Sequence, residues 1–294
     1  VYNFIDAKNP NIVEMGNQCI QTPSMICQNI LYKIKEKHYE SLKTGFKSLD
    51  SVFLSLCKHS ITILVAQCGS GKSTLLMNVT RNLLEQGKKV LYIDLDGEAD
   101  GNIFRLIQMI TKTEILKHLM RPESQECTDY AYNIIENFMN NSQYENLHYW
   151  ATSTATIEEL ETICDNPIYD LIIIDYIQAL SASTEKEGTE RVTEIAEKLK
   201  GMSMRVKAPL LVASQTARST ASDKKNTASV ATPKGSSNIE ERALTLINLT
   251  KDLDEKTGKD LGTRTLTIAK QRHWISGVSI QLRITPQFQL MEDM

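Results

Sequence analysis

Residues 66–74, AQCGSGKST, follow directly on the apolar run ITILV at 61–65, and their reading decides how the rest of the chain is organised. A β-branched run, a glycine-bearing turn and then Lys-Ser-Thr is the pattern of a strand, a phosphate-cradling loop and a helix that opens on the loop. The chemistry is mostly that of the backbone. Successive N–H groups from Gly69 to Ser73 wrap an anion, and the helix aims its positive end at it. Gly69 and Gly71 supply the dihedrals and the close approach that such a wrap needs. Lys72 is the point charge for the outer phosphates, and the Ser73 hydroxyl completes a magnesium shell. The expected ligands are therefore ATP and Mg2+, held by Cys68, Gly69, Ser70, Gly71, Lys72, Ser73 and Thr74. Ala66 stands where the usual pattern opens with Gly. It lies where the strand ends and before the wrap begins, so a methyl group there costs little.

The rest of the composition is ordinary. The chain has 294 residues, 41% hydrophobic and 23% charged, enough for one large α/β domain, or for one domain with a small appendage. A net charge of −3 carries no global signal for nucleic acid, so any such role rests on local patches. The six cysteines, at 19, 27, 57, 68, 127 and 164, show neither C-x-x-C nor metal-like spacing, which points to reduced thiols in a cytosol-like compartment. No apolar stretch approaches the roughly 20 residues of a membrane helix, and no secretory leader is expected.

Residues 1–40 read as an arm and linker, with a short amphipathic helix over 28–42; the remainder, 41–294, reads as the main domain. TGFKSLDSVF (44–53) reads as a turn and edge segment. Strands are predicted at 61–66, 89–96, 146–151, 169–177 and 208–215, alternating with helices at 73–86, from 103, 130–139, 156–164 and 189–206. TLINLT, RTLTIAKQR and VSIQLRIT read as three closing strands. Alternation of this kind argues for a largely parallel sheet covered on both faces, with ligands at the strands' carboxyl ends. Residues 217–238 read as a long mobile loop, functional or disordered, and locally basic through Arg218, Lys224, Lys225 and Lys234 against Asp223, which suits either a DNA contact or a solvated surface loop.

A magnesium-nucleotide site needs a carboxylate at the end of a neighbouring buried strand. Asp175, closing LIIID, is the candidate metal holder, acting through water. Hydrolysis also needs a group that orients or deprotonates water, and LDGE at 95–98 offers Asp96 or Glu98. Gln215, ending LLVASQ, is placed to sense a γ-phosphate through its amide.

Taken together, these segments resemble the motor domain of the DnaB-type replicative helicases, within the RecA-like P-loop ATPases. The similarity runs in order from Thr44 to the C-terminus: TGFKSLD, VAQCGSGKST, IIIDYIQAL, VASQTARS, NIEERA and IAKQRHWISG. The Ala-first phosphate loop is usual in that family. The resemblance implies a homo-oligomeric ring, expected to be a hexamer, that moves 5′ to 3′ on single-stranded DNA and meets a primase or helicase loader. It implies that Lys270 and Arg272 complete the nucleotide site of an adjacent subunit, and that Lys234, Gly235 and Ser237 contact DNA phosphates. The setting it implies is cytoplasm, nucleoid or organellar matrix. Two departures stand out: the family's Glu after the second strand aligns with Asp96, one methylene shorter, and EERA at 240–243 puts Arg242 where the family carries an acid. The rival readings are a recombinase-like or clock-like RecA relative, or an accessory ring that binds DNA without unwinding it, and a P-loop small-molecule kinase.

Overall fold

The computed structural model describes residues 13–15, 18–20, 22–35, 41–53, 56–120, 125–164, 168–181, 188–206, 208–215, 243–272 and 274–294. The chain divides into two compact units, residues 1–40 and 41–294. The first contains a two-stranded antiparallel pair, β1 (Val13–Met15) and β2 (Gln18–Ile20), and helix α1 (Pro23–Lys35). Proline at the first helical position suits this start, because its φ is preset and its missing N–H has no helical partner to lose. The helix expected over 28–42 thus starts five residues earlier. Its predicted end is taken instead by β3 (Ser41–Leu42), which pairs antiparallel with β4 (Leu56–Cys57).

The second unit is built on nine strands. In chain order its further elements are α2 (Lys47–Val52), β5 (Ile61–Ala66), α3 (Lys72–Glu85), β6 (Val90–Asp94), α4 (Ala99–Thr111), α5 (Ile115–Met120), α6 (Gln125–Met139), β7 (Leu147–Ala151), β8 (Ala155–Thr156), α7 (Ile157–Cys164), β9 (Leu171–Asp175), β10 (Leu180–Ser181), α8 (Gly188–Arg205), β11 (Leu210–Gln215), β12 (Thr245–Leu253), β13 (Asp260–Gln271), β14 (Val278–Thr285) and β15 (Leu290–Asp293). The large sheet runs β15-β14-β13-β12-β5-β11-β9-β6-β7. The six strands from β12 to β7 are mutually parallel, and β12 to β15 form an antiparallel meander. The expected α/β class with a mostly parallel sheet holds. The crossover helices cover both faces.

Both faces are apolar, so each central strand contributes alternately to two cores. Leu64, Tyr92, Ile173 and Leu211 face the core beneath α3. Ile63, Leu91, Ile172 and Val212 face the core beneath α7 and α8. Among the described residues no helix is long and apolar enough to cross a membrane.

Segment 44–53 is not an edge strand. Residues Lys47–Val52 form α2, because the Asp293 carboxylate accepts from the N–H groups of Lys47 (2.8 Å) and Ser48 (3.1 Å), satisfying two orphan donors of a first turn. The capping side chain comes from the far end of the chain, so no local pattern announces it. The turn before α2 is tied by Asp50, which accepts from Thr44 N, Thr44 Oγ1 and Gly45 N at 2.8 to 3.0 Å. Gly45 has φ +87°, and a Cβ there would lie 2.5 Å from that of Asn82, so only glycine fits. Helix α5 and strand β15 are further elements that the sequence pattern does not announce.

Candidate nucleotide site

The phosphate loop connects β5 to α3 at the carboxyl edge of the parallel strands. Gly69 (φ +77°) and Gly71 (φ +95°) both occupy the left-handed region, and Gly71 is the residue on which α3 opens. Ser70 N–H bonds back to Gln67 O at 3.2 Å, which closes the turn. Cys68 and Gly69 are exposed at its crest; Lys72 and Ser73 follow in the first turn of the helix. Thr74 is turned the other way, its hydroxyl 3.3 Å from Gln289 Oε1. Beneath the loop, Asn78 donates to Gln289 O (3.0 Å) and accepts from Met291 N (2.9 Å), fastening α3 to β15.

Lys72 and Asp175 meet at 3.2 Å, with the ammonium also 4.4 Å above the Tyr176 ring. Asp175 ends β9, one strand beyond β11, where a parallel sheet presents side chains to a ligand. Its Oδ2 accepts from Tyr92 Oη at 3.0 Å, whereas Oδ1 is buried and accepts no hydrogen bond among the described residues. A buried carboxylate oxygen whose single close partner is an ion-paired lysine suits a divalent cation or a water held by one. The donor set of glycine-rich loop, helix start, lysine, hydroxyl and carboxylate therefore fits a magnesium-nucleotide.

Asp94 and Asp175 are register partners across β6 and β9, which brings two buried carboxylates side by side. Asp94 is satisfied by Asn102 Nδ2 (2.9 Å), Tyr149 Oη (2.5 Å) and the N–H of Asp96 (2.9 Å). Tyr149 stacks on Tyr92 at 5.2 Å. Burial pushes both phenols upward, and the adjacent carboxylates add to it, so they stay protonated donors. Asp96 lies just beyond β6. Partial burial raises its pKa; the charges of Asp175, Asp94 and Glu98 add to this, while Lys72 opposes it. Asp96 is thus within electrostatic reach of both Lys72 and Asp175. Glu98 folds back instead, its Oε2 only 3.7 Å from where a Gly101 Cβ would stand at the start of α4.

Gln215 closes β11, and Gln178 locks it in place. Gln178 Nε2 donates to Ser214 Oγ (2.9 Å) and Gln215 O (3.0 Å), and its Oε1 accepts from Gln215 N (3.1 Å). Sequence reasoning does not single out Gln178, although DYIQ carries it. The same holds for Arg264, which alternation along β13 puts on the inward face with Leu266 and Ile268. It is 5% exposed and donates from Nε to Ser70 O at 2.9 Å.

Lys270 and Arg272 do not join this site within one chain. Arg272 N–H bonds Leu244 O, and Leu244 N–H bonds Ile61 O, so the pair stands at the amino edge of β5, opposite the phosphate loop. Eight residues of extended chain separate Arg264, which touches the loop, from Arg272, a span of about 26 Å. Lys234, Gly235, Ser237, Arg218 and Arg242 lie outside the described residues, as does the predicted loop 217–238.

A "Probable plasmid replicative DNA helicase" of Chlamydia muridarum is 22% identical over 191 residues, 62% of this chain and 41% of that protein. The chain thus spans well under two thirds of the length of that relative. Among solved structures, one described as an ATPase domain superposes with a TM-score of 0.78 at 17% identity, covering 94% of this chain and 99% of that one. A DnaB-like replicative helicase, solved with regard to its interactions with primase, superposes with a TM-score of 0.76 at 17% identity, over 94% of this chain and 67% of that one. The profile described as "DnaB-like helicase C terminal domain" matches residues 41–293, nearly the whole second unit. The chain belongs to the family of DnaB-like helicase C-terminal domains.

Proposed function

We propose that the protein is the motor of an ATP-dependent, ring-forming replicative DNA helicase, moving 5′ to 3′ on single-stranded DNA. The observation that carries this reading is the position of the basic pair. Lys270 and Arg272 stand about 20 and 26 Å along the chain from Arg264, which touches the loop that seats the phosphates, so they serve a nucleotide only if it belongs to another copy. A closed homo-oligomer, a hexamer by family usage, supplies that copy at every interface. Lys72 and the N–H groups of residues 69–73 hold the phosphates. Ser73, and Asp175 through water, would hold magnesium, which would neutralise charge on the phosphates. Gln215, fixed by Gln178, reports on the terminal phosphate. Lys234, Gly235 and Ser237 hold the DNA backbone. A primase or a loader is the expected protein partner, in keeping with the relative solved for its primase interactions.

The test is strand separation by the full chain with ATP on forked duplexes carrying either a 5′ or a 3′ single-stranded tail, run beside light scattering. The expected result is a six-subunit particle that opens only the 5′-tailed fork. DNA-stimulated ATP turnover with no strand separation at any fork would instead favour a ring that binds DNA without unwinding it.

In this reading Asp96 is the group that orients and deprotonates the attacking water, since Lys72 and Asp175 act on its charge while Glu98 turns toward α4. A base works only when deprotonated, and its pKa is raised, so the acidic limb of kcat falls at a pH above the ordinary aspartate range. Asp96→Asn is expected to lower kcat at least about a hundredfold and Glu98→Gln less than about threefold. The reverse order of the two effects, read from the pH dependence of ATP turnover, would transfer the role to Glu98.

A further inference from the structure

The phosphate loop is held from behind by one guanidinium. Arg264 Nε donates to Ser70 O at 2.9 Å, while Nη1 and Nη2 make a two-pronged contact with Asp260 at 2.9 and 3.0 Å, and Nη1 also reaches Thr263 O at 2.7 Å. Asp260 is itself held by Lys251 Nζ at 3.1 Å, and these cations keep its carboxyl well below the usual range. The forked ion pair thus fixes the guanidinium plane, and the plane fixes the direction of Nε–H. There is no slack on the loop side. A Cβ on Gly71 would lie 3.5 Å from Arg264 Nε and 3.2 Å from Met291 Cε.

The consequence follows from peptide geometry. In a planar trans peptide the carbonyl and the amide hydrogen point in opposite directions. With the Ser70 carbonyl drawn back onto Arg264, the N–H of Gly71 in the same peptide is turned forward, into the concavity of the loop. A cation on the carbonyl also polarises the peptide and makes that N–H a stronger donor. We propose that Arg264, oriented by Asp260, is a positioning residue that aims the Gly71 N–H at the phosphates of the bound nucleotide. The residue touches no phosphate itself. This rests on the reading of residues 66–74 as the nucleotide loop.

The test uses the full chain and measures affinity for a fluorescent ATP analogue with magnesium, alongside steady-state ATP turnover and melting temperature. Arg264→Met retains the length of the side chain and removes every donor. It is expected to raise Kd and KM about tenfold, the equivalent of one charge-assisted hydrogen bond, with kcat within about twofold. Arg264→Lys keeps the charge but lacks the planar fork that fixes the direction of the donor, and falls between Arg264→Met and wild type. A merely structural role would lower kcat and melting temperature together and leave KM in place, and that outcome overturns the proposal. So does a Kd for Arg264→Met within twofold of wild type. Should Arg264→Met fail to fold, Asp260→Asn decides: an increase in Kd of about threefold supports the clamp and an unchanged Kd overturns it. Lys72→Ala separates the two layers. If it abolishes binding while Arg264→Met does not alter it, the clamp alone is wrong; if neither variant alters binding, the nucleotide reading fails with it.

Discussion

Lys72→Ala is expected to lower ATP turnover at least about a hundredfold and to abolish strand separation. Among the described residues its ammonium is the cation that meets Asp175 in the cleft, and loss of a single preorganised charge-stabilising group in such a site costs about two to three orders of magnitude. The variant has a second, separable effect. Asp175 Oδ1 would lose its ion-pair partner while remaining buried, an unfavourable state for a carboxylate. The melting temperature without nucleotide should therefore fall by several degrees. Asp175→Asn in the same background removes the stranded charge and should restore most of that loss without restoring turnover. Wild-type unwinding by Lys72→Ala, measured with a fluorescently labelled fork, would sink the assignment of residues 66–74 as the motor's nucleotide site.

Arg272→Ala should be as damaging to turnover, by about a thousandfold or more, yet leave nucleotide affinity within a few-fold of wild type. Groups that reach a phosphoryl transition state from an adjacent subunit act on rate at this scale. Because the residue is remote from its own phosphate loop, mixing supplies the decisive measurement. A ring assembled from Arg272→Ala and Lys72→Ala subunits contains interfaces with an intact loop on one side and an intact Arg272 on the other. ATP turnover should then rise above that of either variant alone and pass through a maximum near equal proportions. A flat response across all ratios would show that Arg272 does not act across an interface.

The glycine-bearing turn between β5 and α3 and the alternating strands are legible in the sequence because their causes are local. Ile61–Ala66 is fully buried and, Thr62 apart, apolar; Gly69 and Gly71 take backbone angles that other residues resist; and Asp175 ends four consecutive aliphatic residues. What escapes such a reading depends on partners distant in sequence. Helix α2 is capped by Asp293, 246 residues away from Lys47. The support of Asp94 comes from Tyr149 and Asn102, on two different elements. Arg264 is the recoverable miss, since its place in the inward series with Leu266 and Ile268 makes it an arginine in a core position. Such a residue requires a buried partner. Only the fold reveals that the partners are Asp260 and a carbonyl of the phosphate loop.

From Arg264 to Ile268, strand β13 is paired along both edges, with β12 on one side and β14 on the other. Its near end touches the loop of its own subunit, and its far end carries the basic pair. A strip of sheet bonded on both sides stretches and bends very little. In a ring of the kind proposed above, a slight tilt of one loop would reach the next interface as a displaced arginine, which would make the order in which subunits fire a matter of leverage.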